Sequence, residues 1–175
     1  PSQMGGCTRK LWYAACMFEP RHRIDAKLRC TFDHGHSVHD WQQNELGQLL
    51  QNLSDRNIEE AGGLGVRFDA EFEVSLTDSV YSTGIAEDLN LAGSADGLIN
   101  VENDPDGYGK IIYELKTMAD ASWKKLTKPQ TKHIAQATIY AKCLGADVIL
   151  FQYYNKNADV SKWFWVEPRS SFNSE

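Results

Sequence analysis

No run of about eighteen or more apolar residues occurs in this 175-residue chain, which gives no candidate for a membrane-spanning helix. Cysteine is scarce and scattered. Cys7, Cys16, Cys30 and Cys143 form no CxxC pair, which argues against a zinc ribbon and gives a disulfide framework little support. Internal repeats and low-complexity tracts are missing as well. The opening Pro1-Ser2-Gln3-Met4 lacks the basic-then-apolar order of a signal peptide. These absences lead to the expectation of a soluble intracellular protein. At 42% hydrophobic content the chain can bury one substantial core, and it is short for two. A single domain over 1–175 is expected, with a helical N-terminal part over 1–34 and a core over 35–167.

The net charge of −6 argues against a polyanionic partner until it is divided along the chain. Residues 1–30 carry six Lys or Arg against two acids, and residues 110–142 carry seven against two. Residues 31–109 hold two Arg against sixteen Asp or Glu. A metal site needs local carboxylates and a phosphate track needs local cations, so segregated charge suits an enzyme acting on nucleic acid. Arg9, Lys10, Lys124, Lys125, Lys128 and Lys132 are the candidate nucleic-acid-binding residues, with an ordinary solvated face as the other reading of each group.

Periodicity gives a coarse architecture. A first helix is expected over about 4–17; its Trp12 and Tyr13 suit either core packing or base stacking. A second starts near Ser37 as N-cap and runs to Leu53, with Val38, Trp41, Leu46, Leu49, Leu50 and Leu53 as its apolar stripe. Alternation over 67–76 reads as a half-buried strand, and the turn-rich Asn103–Gly109 closes a hairpin between a strand that carries Asp96 and the run Ile111–Lys116. Helix returns over 120–143, interrupted or restarted at Pro129, and strands follow over 147–154 and 162–166. The sum is an α/β protein with a central mixed β-sheet flanked by α-helices.

Within the hairpin, Glu114 and Lys116 project from one face of their strand while Tyr113 and Leu115 point away. A turn centred near residue 106 sets Asp96 opposite Lys116, with Glu114 as diagonal neighbour on that face. Two carboxylates so placed can hold one divalent ion and activate water. His39, at the start of the second helix, is a candidate third ligand, although His34 and His36 beside it leave a structural role open. Gln136 and Tyr140 share a helix face, with Lys132 a turn earlier, and can fix the lysine or a phosphate through hydrogen bonds.

These motifs resemble those of the PD-(D/E)xK nuclease superfamily, in its RecB-type exonuclease branch, which includes phage enzymes and the mitochondrial genome maintenance exonuclease. The resemblance covers about 35–155: Gly35 to His39 matches GxxxH, Gly93 to Asp96 matches GxxD, Glu114 to Lys116 matches ExK, and Gln136 to Tyr140 matches QxxxY. It implies a restriction-endonuclease-like core, with Mg²⁺ or Mn²⁺ (one or two ions) held by His39, Asp96, Glu114 and the backbone carbonyl of Leu115. Lys116 then orients the water, and Gln136 and Tyr140 support it beside the substrate. Ala95 stands where the superfamily's name has proline, a replacement this branch tolerates. Members with an iron–sulfur cluster carry three cysteines after QxxxY; only Cys143 follows it here, so no cluster is expected. The implied activity is hydrolysis of DNA, single-stranded or with a free end, in the host cytoplasm if the chain is phage-encoded. A restriction-type or junction-resolving endonuclease, an inactive DNA-binding module and a small-molecule metal hydrolase are the other readings.

Overall fold

A computed structural model describes residues 25–58, 65–69, 74–77, 80–103, 107 and 109–168. The helix expected over 4–17, with Arg9 and Lys10, lies outside the described residues. Four helices and seven strands are described: α1 (Ala26–Ile58), β1 (Gly65–Asp69), β2 (Val74–Ser75), α2 (Ile85–Asp88), β3 (Ser94–Ala95), β4 (Gly97–Glu102), β5 (Lys110–Met118), α3 (Asp120–Lys125), α4 (Thr131–Leu144), β6 (Val148–Asn155) and β7 (Val160–Val166). The main sheet runs β1-β4-β5-β6-β7, and β2 pairs with β3 alone. Among the described strands only β5 and β6 run parallel; the other pairs of the main sheet are antiparallel, so the sheet is mixed, as the sequence pattern implies. The parallel pair needs a crossover, and α3 and α4 supply it.

The sheet divides the core in two. On one face α4 packs Ala137, Tyr140, Ala141 and Leu144 against Ile112, Ile149, Phe151 and Tyr153. On the other, α1 brings Val38, Leu46 and Leu50 against Tyr113, Leu115, Leu150 and Tyr154. Because β6 is covered on both sides, all eight of its residues are buried, which explains its apolar run Val148–Phe151; the buried Gln152 and Asn155 that follow are hydrogen-bonded to Ser161 and Asp120. The helix stop at Pro129 is observed: α3 ends at Lys125 and α4 restarts at Thr131.

Three expectations need correction. The second helix does not begin at Ser37; α1 begins at Ala26, and the Ser37 hydroxyl donates to the Asp33 carbonyl one turn back (3.0 Å). His39 therefore stands inside the helix. The face that meets the sheet includes His39, Gln43, Leu46, Gly47 and Leu50, while Trp41, Leu49 and Leu53 from the expected stripe remain exposed. The segment 67–76 is not one strand: β1 ends at Asp69 and β2 begins at Val74, in a different sheet. The hairpin register also differs by two residues. Gly97 pairs with Tyr113 and Asn100 with Lys110, so the ladder extended by one position sets Asp96 opposite Glu114, not Lys116. A slip of two preserves the face of every side chain, whereas a slip of one would have inverted it.

Gly97 fixes how closely the layers approach. A methyl group there would come 2.6 Å from Cε2 of Phe68, whose ring also lies against Gly47 of α1 and edge-on to Tyr113. Gly97→Ala is expected to destabilise the fold by about 1–3 kcal/mol through overpacking. Chemical denaturation checks this, and a variant as stable as the parent would show that Phe68 yields freely.

Candidate active site

Pairing between β4 and β5 stops at Gly97 and Tyr113, but β5 continues to Met118. From Glu114 onward its edge facing β4 has no backbone partner in that strand. Asp96, buried just before β4, fills the gap: its Oδ2 accepts the Leu115 N–H at 2.7 Å. A residue's N–H and C=O in a strand point to the same edge, so the Leu115 carbonyl is directed to the Asp96 side. Gln43 of α1 donates to the Asp96 carbonyl at 2.5 Å, tying the helix to the same corner. Sequence reasoning missed Gln43, whose amide interrupts the apolar pattern; its position one turn after His39 is the signal that could have found it.

The side chains converge as follows. His39 Nδ1 lies 3.6 Å from Asp96 Oδ1, and Lys116 Nζ lies 3.6 Å from Asp96 Oδ2 and 2.5 Å from Glu114 Oε2. Glu114 is 1% exposed, and its second oxygen, Oε1, is buried with no hydrogen-bond partner among the described residues. Two acids and one amine thus share a nearly dry site. Burial alone would raise the Asp96 carboxyl, but the Lys116 ammonium, His39 and the Leu115 N–H outweigh it and hold Asp96 below the ordinary carboxylate range. For Glu114, burial wins over Lys116, aided by the Asp96 charge, and pushes the acid up to about 7. Burial works against the Lys116 ammonium, yet Glu114 and Asp96 more than compensate and keep it charged.

Gln136 Nε2 donates to the Tyr140 hydroxyl at 2.7 Å, so these two share a helix face as expected. They bond each other; among the described residues neither bonds Lys116. Burial raises the Tyr140 phenol to about 12, and it stays protonated.

As placed, no three His, Cys, Asp or Glu side chains among the described residues stand close enough to cage an ion; Glu114 turns to Lys116 while His39 turns to Asp96. The donor set nevertheless suits a hard divalent cation. It offers two carboxylates, an imidazole, a backbone carbonyl directed to the same corner, and one buried carboxylate oxygen still without a partner.

A cleft of about 450 Å³ opens at the carboxyl end of β5, where ligands of open α/β sheets commonly bind. It is lined by His39, Leu115 and Lys116 together with Ser122, Lys132 and His133 of α3 and α4. The remaining lysines are less engaged with it. Lys124 is exposed and paired with Asp120 at 2.7 Å, and Lys125 and Lys128 are exposed. Trp123, between Ser122 and Lys124, faces inward: its indole N–H donates to the Tyr153 carbonyl at 2.8 Å and Lys162 lies 4.2 Å from its ring centre.

His133 was not foreseen as a site residue. Burial, together with Lys116 and Lys132, lowers its pKa from 6.5 to about 4. In the unfolded chain the ring gains its proton first, so stability falls as pH drops from 6.5 toward 4 and this contribution levels off below. His133→Gln is expected to flatten that part of the stability profile, which denaturation series across the interval will show; an unchanged slope would place the loss in other groups.

Comparison with known proteins gives the fold. The crystal structure of SSO0001 is similar with a TM-score of 0.51 at 14% identity, over 94% of this chain and 65% of that one. This chain therefore spans just under two-thirds of that protein. LHK-Exo in complex with dAMP gives a TM-score of 0.45 at 14% identity, covering 96% and 73% of the two chains. The alkaline exonuclease LHK-Exo from Laribacter hongkongensis gives 0.40 at 14%, covering 91% and 82%. No family model matches the sequence, and no curated protein matches it. At such identity the likeness to SSO0001 establishes the α/β architecture alone. Among the described residues no helix is long and apolar enough to cross a membrane.

Proposed function

We propose that this chain is a metal-dependent deoxyribonuclease of the PD-(D/E)xK superfamily, in its RecB-type branch, and that it digests DNA from an end. The observation that carries this reading is the position of Asp96, 3.6 Å from both His39 and Lys116 and on the face of Glu114, whose Oε1 is buried and partnerless. Elsewhere in a fold a buried acid with only one of its oxygens satisfied would be a liability. Here it is where a cation belongs.

His39, Asp96, Glu114 and the Leu115 carbonyl would hold Mg²⁺ or Mn²⁺; the oxygens suit the former and the imidazole nitrogen the latter. Such an ion, when bound, supplies Lewis acidity toward a phosphodiester oxygen and lowers the pKa of water. The chain's own residues do the rest. Lys116 stays protonated between two acids, so it can orient an attacking water through N–H donation and offset negative charge on the phosphorus oxygens. Asp96, held by the Leu115 N–H, keeps a fixed orientation during that step. Gln136 and Tyr140, bonded to each other on α4, would support the site beside the substrate as neutral polar groups. Lys132 at the mouth, with Lys124, Lys125 and Lys128 farther out, gives the strand a cationic approach.

End-labelled linear duplex, covalently closed circular and single-stranded DNA, incubated with Mg²⁺, Mn²⁺ or chelator, test the proposal. The parent is expected to shorten DNA with ends, to leave circles closed and to stop in chelator. Cleaved circles would make it an endonuclease of the same fold. Inertness on every substrate would overturn the nuclease reading.

A further inference from the structure

One residue of the cleft lining, His133, has no part in the chemistry above, yet it is held in place by a buried tyrosine. Tyr153 is wholly buried; its hydroxyl accepts the Gln130 backbone N–H at 3.1 Å and lies 2.8 Å from His133 Nδ1. A phenol has one proton and two lone pairs. Gln130 occupies one lone pair, and among the described residues His133 is the only other partner of this hydroxyl. If Nδ1 carried the ring proton, the Tyr153 proton would be buried without an acceptor, at a cost of about 1–3 kcal/mol. The satisfied arrangement has Tyr153 donating to Nδ1, which puts the imidazole's own proton on Nε2.

We infer that His133 is a substrate-binding residue, whose Nε2–H, fixed by Tyr153, donates to a non-bridging phosphodiester oxygen of the DNA strand lying in the cleft beside Lys116 and Lys132. This rests on the nuclease reading and deepens it, since it assigns a further part of the cleft lining to the strand itself. Geometry places His133 on the cleft surface with Lys116, Lys132 and Ser122. The ring is neutral at ordinary pH because burial and both lysines disfavour a further positive charge. It therefore adds a directed donor to a site whose charge is already set by lysines. Tyr153 touches no substrate and is a positioning residue.

The charge difference between His133 and Lys132 supplies a readout that a merely structural role would not move. A phosphate contact made by a cation contributes about 0.7 to the slope of log affinity against log salt on single strands, and a neutral donor contributes nothing. Binding of a short fluorescein-labelled single-stranded deoxyoligonucleotide is measured by anisotropy in Ca²⁺ across salt, and cleavage of the same strand is measured in Mn²⁺. His133→Phe is expected to weaken binding and raise KM by about tenfold, with kcat nearly unchanged and the salt slope intact. Lys132→Gln is expected to weaken binding and flatten the slope by about 0.7. His133→Gln, which keeps an amide donor, should recover part of the loss. Tyr153→Phe, which keeps the shape of the core, should raise KM about threefold through a misdirected ring. Should His133→Phe misfold, the Tyr153→Phe and His133→Gln values decide the matter. An active parent whose His133→Phe and Tyr153→Phe variants keep its KM overturns this inference alone. A parent that neither binds nor cleaves overturns the nuclease reading and this inference with it.

Discussion

Asp96→Asn is expected to lower the rate of DNA hydrolysis by about 10³-fold or more, while lowering stability modestly, because the folded site favours the Asp96 charge. Asparagine matches aspartate in shape, and its carbonyl oxygen can still accept the Leu115 N–H that Asp96 accepts at 2.7 Å. What it loses is charge at the point where His39 and Lys116 both approach within 3.6 Å. The fold tolerates that loss because Lys116 and Glu114, 2.5 Å apart, remain as a balanced pair. Single-turnover cleavage of labelled DNA beside a thermal melt separates the two effects. A folded Asp96→Asn variant with activity within tenfold of the parent would remove Asp96 from the chemistry.

Glu114→Gln is expected to abolish cleavage to a similar extent, by about 10³-fold, and at the same time to stabilise the metal-free protein by about 1 kcal/mol or more. The site holds two acids and one amine, so one buried negative charge is in excess, and Glu114 Oε1 has no partner to offset it. The amide keeps an acceptor for Lys116 and removes the excess. Lys116 is then matched by Asp96 alone. For a chain of this size such a gain raises the melting temperature by about 2–4 °C. Loss of activity combined with gain of stability distinguishes a functional carboxylate from a structural one; a variant that is both inactive and markedly less stable would mean that Glu114 is chiefly a structural partner for Lys116.

The parts legible in the sequence were those where one short-range rule acts alone. Alternation in Ile111–Lys116 placed Glu114 and Lys116 on one face, which the sheet realises, and Pro129 marked the gap between α3 and α4. The apolar run Val148–Phe151 of β6 followed from burial on both faces. Legibility failed where two rules competed. Asn103–Gly109 contains several residues able to turn the chain, so composition located the hairpin without choosing between registers two apart. In α1 the apolar count favoured a stripe through Trp41, Leu49 and Leu53, but the face that packs is turned toward His39 and Gln43 because it must also cover Asp96. A helix that caps a polar site has to place polar side chains on its inner face, and hydrophobic periodicity then points beside the true contact. His133 escaped notice for a related reason. Its importance comes from Tyr153, twenty residues farther along the chain and on another element, and no local spacing encodes that contact.

Titration of Mn²⁺ into the metal-free protein, followed by calorimetry, tests most directly whether His39, Asp96 and Glu114 serve one ion. The parent is expected to bind Mn²⁺ and to gain about 2.7 kcal/mol of stability when the ion is at a hundredfold its Kd. Asp96→Asn and Glu114→Gln should each lose most of that binding, and His39→Ala should weaken it by a smaller factor. No heat and no stabilisation with the parent, or equal binding by all four proteins, would contradict a metal centre at this corner of the sheet.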